Sequence, residues 1–77
     1  MESYSEPAVL WRLHRGGDEA RAMVIPGAPT STLVFFVNNE LDRGENFDEW
    51  DAVLMRAEDV RRELLEQGWQ PLEAGPG

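Results

Sequence analysis

Thr32 to Val37 (TLVFFV) is a six-residue run with no charge and no turn-former, dominated by β-branched and aromatic side chains. A run this short and this apolar predicts a strand, because a stable helix needs roughly twice the length. Alternate strand residues face opposite ways, so Leu33, Phe35 and Val37 share one side while Val34 and Phe36 share the other. Any fold that includes this segment must therefore cover apolar side chains on both faces of a sheet. Which of those faces meets a helix is open on the sequence alone.

The preceding segment supplies a hairpin. Ala8 to Arg15 alternates Val9, Trp11 and Leu13 with Leu10, Arg12 and His14, the period of a strand with one strongly apolar face. Gly16-Gly17 tolerates the positive φ of a tight two-residue turn. Counting outward pairs Arg15 with Asp18, Leu13 with Ala20, Trp11 with Ala22 and Val9 with Val24. Val9, Trp11, Leu13, Ala20, Ala22 and Val24 are thus expected as one half of the core. Pro26 to Ser31 is a breaker cluster that ends the second strand. Asn38-Asn39 favours left-handed backbone and is expected to close a second hairpin into a polar edge strand, Glu40 to Glu45. A two-residue loop places Leu41 across from Phe36, and a three-residue loop places it across from Val37.

The second half carries a helix. Asn46 followed by Glu49 resembles a capping box, and Asp48, Glu49 and Asp51 put negative charge at the positive end of the helix dipole. At 100° per residue, Trp50, Val53, Leu54, Ala57, Val60, Leu64 and Leu65 form one apolar stripe. Gly68 suits the C′ position of a Schellman end, with Trp69 folding back on the last turn and Pro71 preventing continuation. The expected class is α+β, an antiparallel meander of three to four strands packed on one C-terminal amphipathic helix (ββββα or βββα). A single domain spans 8–72, with an N-terminal tail at 1–7 and a flexible C-terminal tail at 73–77.

Composition narrows what such a domain can do. A chain of 77 residues has room for one small domain, and with no Cys it can build neither disulfides, thiolate metal sites nor a cysteine nucleophile. Seven Arg stand against 15 acidic residues, giving a formal charge of −8. Up to Asn38 there are 3 Arg and 4 acids; beyond it 4 Arg and 11 acids, so the acidity belongs to the second half. That balance disfavours generic attraction to nucleic acid or to an anionic membrane. Glu2 and Glu6 stand where a signal peptide needs basic residues, and no apolar run approaches a membrane span, so a cytoplasmic location is expected.

The sequence Arg61-Arg62-Glu63-Leu64-Leu65-Glu66-Gln67-Gly68-Trp69 resembles the close of short bacterial domains in which a β-meander leads to an amphipathic helix ending in Leu-Leu-x-x-Gly-Trp. The ββββα order is also similar to Pur-alpha-like folds. That resemblance implies a sheet face that contacts single-stranded nucleic acid and helices that contribute to dimerisation. The −8 charge and the lack of a basic arm are departures from that pattern.

Candidate residues follow from the two-faced strand. One helix covers one side of a sheet, so apolar residues on the other side call for a partner. Leu10, Met23, Ile25, Val34 and Phe36 are the expected interface, and a homodimer the expected assembly. Arg12, Arg21 and His14, with a sheet Phe, are the alternative candidates, for stacking on single-stranded nucleic acid, a partner that the charge of −8 disfavours. A third reading has the acidic second half bind a basic protein partner. His14 is the only imidazole, and Ser3, Ser5 and Ser31 lie in no nucleophile motif, so neither catalytic residues nor an enzyme are expected. The acidic run from Asn38 lacks glycine at the sixth loop position, where Arg43 stands, so no calcium site is expected. No cofactor is expected either.

Overall fold

Both predicted tight turns form, and they fix the sheet register. Gly16 takes φ +60° between β1 (Ala8–Arg15) and β2 (Asp18–Ile25), and Arg15–Asp18, Leu13–Ala20 and Trp11–Ala22 pair as counted. Asn38 and Asn39 adopt φ of 53° and 69°, the doubly left-handed pattern of a type I′ turn, between β3 (Ser31–Val37) and β4 (Glu40–Phe47). The loop has two residues, so Leu41 faces Phe36. Asn38 also ties this turn to β2. Its side-chain oxygen accepts from the Glu19 N–H at 2.9 Å, and its own N–H donates to the Glu19 carbonyl at 2.8 Å.

The computed structural model describes residues 6–72; of the expected tails, residues 1–5 and 73–77 lie outside that range. The architecture is α+β in the order ββββα. Helix α1 (Trp50–Glu66) is followed by a two-residue strand, β5 (Gln70–Pro71), and the antiparallel sheet runs β4-β3-β2-β1-β5. Pro71, expected only as a stop signal, sits beside Leu13 on the sheet edge, and the Leu72 N–H continues the pairing to the Arg12 carbonyl at 3.0 Å.

The helix packs on the Leu33–Phe35 side of β3. Ala22, Val24, Leu33, Phe35, Val53, Ala57 and Val60 form the main core, and Leu13, Ala20 and Trp69 form a second cluster beside it. The Trp11 indole N–H donates to the Ala57 carbonyl at 2.9 Å and so pins β1 to the middle of the helix. On the other flank Arg56 donates to both carboxylate oxygens of Glu45, at 3.1 and 3.4 Å, and that hydrogen bond raises the guanidinium pKa. Arg61 pairs with Glu58 on its own helix at 2.9 Å; the contact holds the Glu58 carboxyl below its ordinary pKa.

Three core expectations need correction. Val9 is 41% exposed because β1 gains one residue against β2 between Val9 and Trp11, which pairs Val9 with Met23 and Ala8 with Val24. The apolar stripe of α1 is narrower than predicted, leaving Trp50 and Leu54 47% and 40% exposed. Asn46 does not cap the helix. It lies in β4, where its side-chain oxygen accepts from the Thr32 hydroxyl at 2.8 Å, and Glu49 occupies the N-cap with no side-chain cap bond.

The C-terminal end of α1 follows the sequence signal. Gly68 has φ +101°, the Trp69 N–H donates to the Leu64 carbonyl and the Gly68 N–H to the Leu65 carbonyl, the paired bonds of a Schellman end. No basic residue lies in the last turn of α1. Arg15 of β1 supplies the positive group instead, donating to the Gln67 carbonyl at 3.1 Å while its guanidinium lies 4.8 Å from the Trp69 ring centre.

Two substitutions test this account in denaturant titrations. Gly68→Ala meets nothing closer than the Arg15 Cδ at 3.7 Å, so its cost is conformational and is expected at about 1–2 kcal/mol. Trp11→Phe keeps an aromatic ring but removes the donor to Ala57, and is expected to cost about 1–2 kcal/mol.

Candidate functional site

The face of the sheet turned away from α1 is built by strand alternation and by the β1 bulge. Row by row, Val9, Met23, Val34 and Gly44 lie side by side, next to Arg12, Arg21, Phe36 and Leu41. Ile25 pairs with Thr32 at one end of this face, and His14 with Glu19 at the other. Among the described residues no helix covers it, since α1 packs on the opposite side.

Of the expected interface residues, Met23, Ile25, Val34 and Phe36 share this face. Leu10 does not. The bulge that exposes Val9 turns Leu10 toward the helix side, where it packs against the main core with Trp11. Val9 takes the place assigned to Leu10, and Leu41, 62% exposed, extends the patch beyond Phe36. Ile25 is 41% exposed, whereas Val34 is buried among its neighbours. Gly44 adds no side chain to the Met23–Val34 row, and a Cβ there would approach Val34 Cγ1 to 3.3 Å. The centre of the face is therefore flat and apolar.

The three expected nucleic-acid contacts, Arg12, Arg21 and His14, also lie here. Arg21 is engaged on all sides. Its guanidinium stands 4.4 Å from the Phe36 ring centre, Nη1 donates to Asn39 Oδ1 at 2.7 Å, and Nε approaches the Met23 sulfur at 3.5 Å. The Phe36 ring, the candidate stacking platform, is thereby covered by a cation from its own chain. Arg12 is exposed and directly opposite Arg21, and His14 is half-buried opposite Glu19.

The charged groups on this face are Arg12, Arg21 and Glu19, so it is the part of a strongly acidic molecule on which positive charge is concentrated. The outer surface of α1 also exposes apolar side chains, Trp50, Leu54 and Met55. Those are interleaved with Asp51, Glu58 and Asp59, which keep that surface solvated. Among the described residues no group of three or more His, Asp or Glu side chains is placed to hold a metal ion, and no helix is long and apolar enough to cross a membrane.

No protein-family model, no curated protein and no solved structure matches this chain.

Arg21→Ala uncovers the Phe36 ring at the cost of the cation–π contact and of the exposed hydrogen bond to Asn39. Fold stability should change by no more than about 1 kcal/mol in a thermal melt, because the site is at the surface. Binding of an apolar fluorescent dye should rise, since the added exposed surface is aromatic.

Proposed function

We propose that this protein is a small non-enzymatic interaction module that self-associates, two copies packing through the sheet faces turned away from α1. The observation that carries the reading is the exposed set Val9, Ile25 and Leu41 around the half-buried Met23 and Phe36, an apolar surface that no helix of the described chain covers. Exposed patches of this kind mark association sites in soluble proteins.

The occupant is a second copy because the electrostatics select it. Two molecules of formal charge −8 repel each other in most orientations. The repulsion is least where Arg12 and Arg21 lie, and Glu19 on the same face gives each copy an acid for the other's guanidinium. Four strands about 4.8 Å apart and seven or eight residues long present roughly 500 Å² of flat area per copy, at the lower end of specific interfaces. The dimer is accordingly weak and dissociates on dilution.

Sedimentation of the wild-type chain should show a monomer–dimer equilibrium over the micromolar range. Ile25→Arg combined with Leu41→Arg, both at exposed positions, should leave the melting temperature nearly unchanged and shift the equilibrium to monomer. A wild-type chain that stays monomeric at millimolar concentration contradicts the reading. A salt-sensitive shift of labelled single-stranded oligonucleotide, lost in Arg12→Ala, would favour the nucleic-acid reading instead.

A further inference from the structure

A cavity of about 100 Å³ opens between the C-terminal half of α1 and the sheet. Its walls are Trp11, Phe35, Val60, Leu64 and Trp69, with Ala20 on the sheet beneath them. Asp42 and Arg43 also line it, and both are exposed, which places them at its mouth. Consecutive strand residues ordinarily face opposite ways. These two share the cavity because β4 gains one residue against β3 here, with Leu41 opposite Phe36 and Arg43 opposite Phe35. The Arg43 guanidinium stands 5.2 Å from the Phe35 ring centre. Among the described residues neither Asp42 nor Arg43 is held in an ion pair.

We propose that this cavity binds a free α-amino acid with a branched aliphatic side chain, of the size of valine, leucine or isoleucine. The volume sets the side chain, because a benzene ring occupies an engineered apolar cavity of roughly 150 Å³. A space of about 100 Å³ suits a smaller branched alkyl group better than an indole or a phenol. The mouth sets the head group. An anion alone would meet Asp42 and a cation alone would meet Arg43, whereas a zwitterion offers its carboxylate to Arg43 and its ammonium to Asp42. A zwitterion also has no net charge for an acidic protein to repel. Arg21 and Phe36 border this cavity as well as the proposed dimer face.

The test is a titration of the wild-type protein with L-leucine, read from the indole N–H resonances in a nitrogen–proton correlation spectrum. Trp11 and Trp69 should shift saturably at millimolar ligand while Trp50, on the outside of α1, stays in place. Isovalerate, which lacks the ammonium, and isoamylamine, which lacks the carboxylate, should each bind at least about tenfold more weakly. Asp42→Asn and Arg43→Gln should each weaken leucine binding by about tenfold. Ala20→Leu, which fills the cavity from the sheet side, should abolish binding in a protein that melts no lower than wild type. The proposal is overturned if Trp11 and Trp69 do not move. It is equally overturned if all three compounds act alike, since the cavity would then be an unselective apolar gap.

Discussion

The seating of α1 on Ala22, Val24, Leu33 and Phe35 is the contact on which the other features of this fold depend. Val53, Ala57 and Val60 bring one narrow stripe of the helix onto the sheet, and the two small residues of the contact, Ala57 on the helix and Ala22 beneath it, let the helix approach closely. The Trp11 indole on one flank and the Arg56–Glu45 pair on the other fix the helix across the strands. The Gly68 turn then returns the chain to β1, where Arg15 meets the carbonyl end of the helix. Once α1 is placed on this side, Met23, Val34 and Phe36 must lie on the other. A helix of 17 residues cannot cover both.

Much of this was legible in the sequence because turn chemistry and periodicity are local properties. Gly16 and Asn38-Asn39 sit where positive φ is needed, and each turn fixes the pairing that follows. The Gly68-Trp69 end was legible for the same reason. The helix start was not. Asn46 has the chemistry of a cap, but β3 offers it a partner in the Thr32 hydroxyl, and extending the sheet by a further pair prevails over capping. Nor did the sequence signal β5, whose two residues pair with β1 only because the helix end delivers them there.

The two β-bulges account for the errors in assigning faces. Each inserts one residue without leaving any mark in hydrophobic alternation, since Leu10 beside Trp11 and Asp42 beside Arg43 read as ordinary strand neighbours. In β1 the extra residue sends Leu10 into the core and Val9 out to the apolar face. In β4 it brings two opposite charges to the mouth of one cavity. Leu41 could have been placed on the exposed face from the sequence once the Asn38-Asn39 loop was known to have two residues. The pairing of Asp42 with Arg43 had no comparable signal.

The chain thus divides its apolar surface between a side closed by its own helix and a side that the proposed reading gives to a second copy. The most direct test is an isotope-filtered nuclear Overhauser experiment on a mixture of labelled and unlabelled protein. Self-association through the sheet predicts intermolecular cross-peaks among the methyl groups of Val9, Met23, Ile25 and Leu41. Cross-peaks confined to Leu54 and Met55 on the outer surface of α1, or none in a concentrated sample, would contradict it.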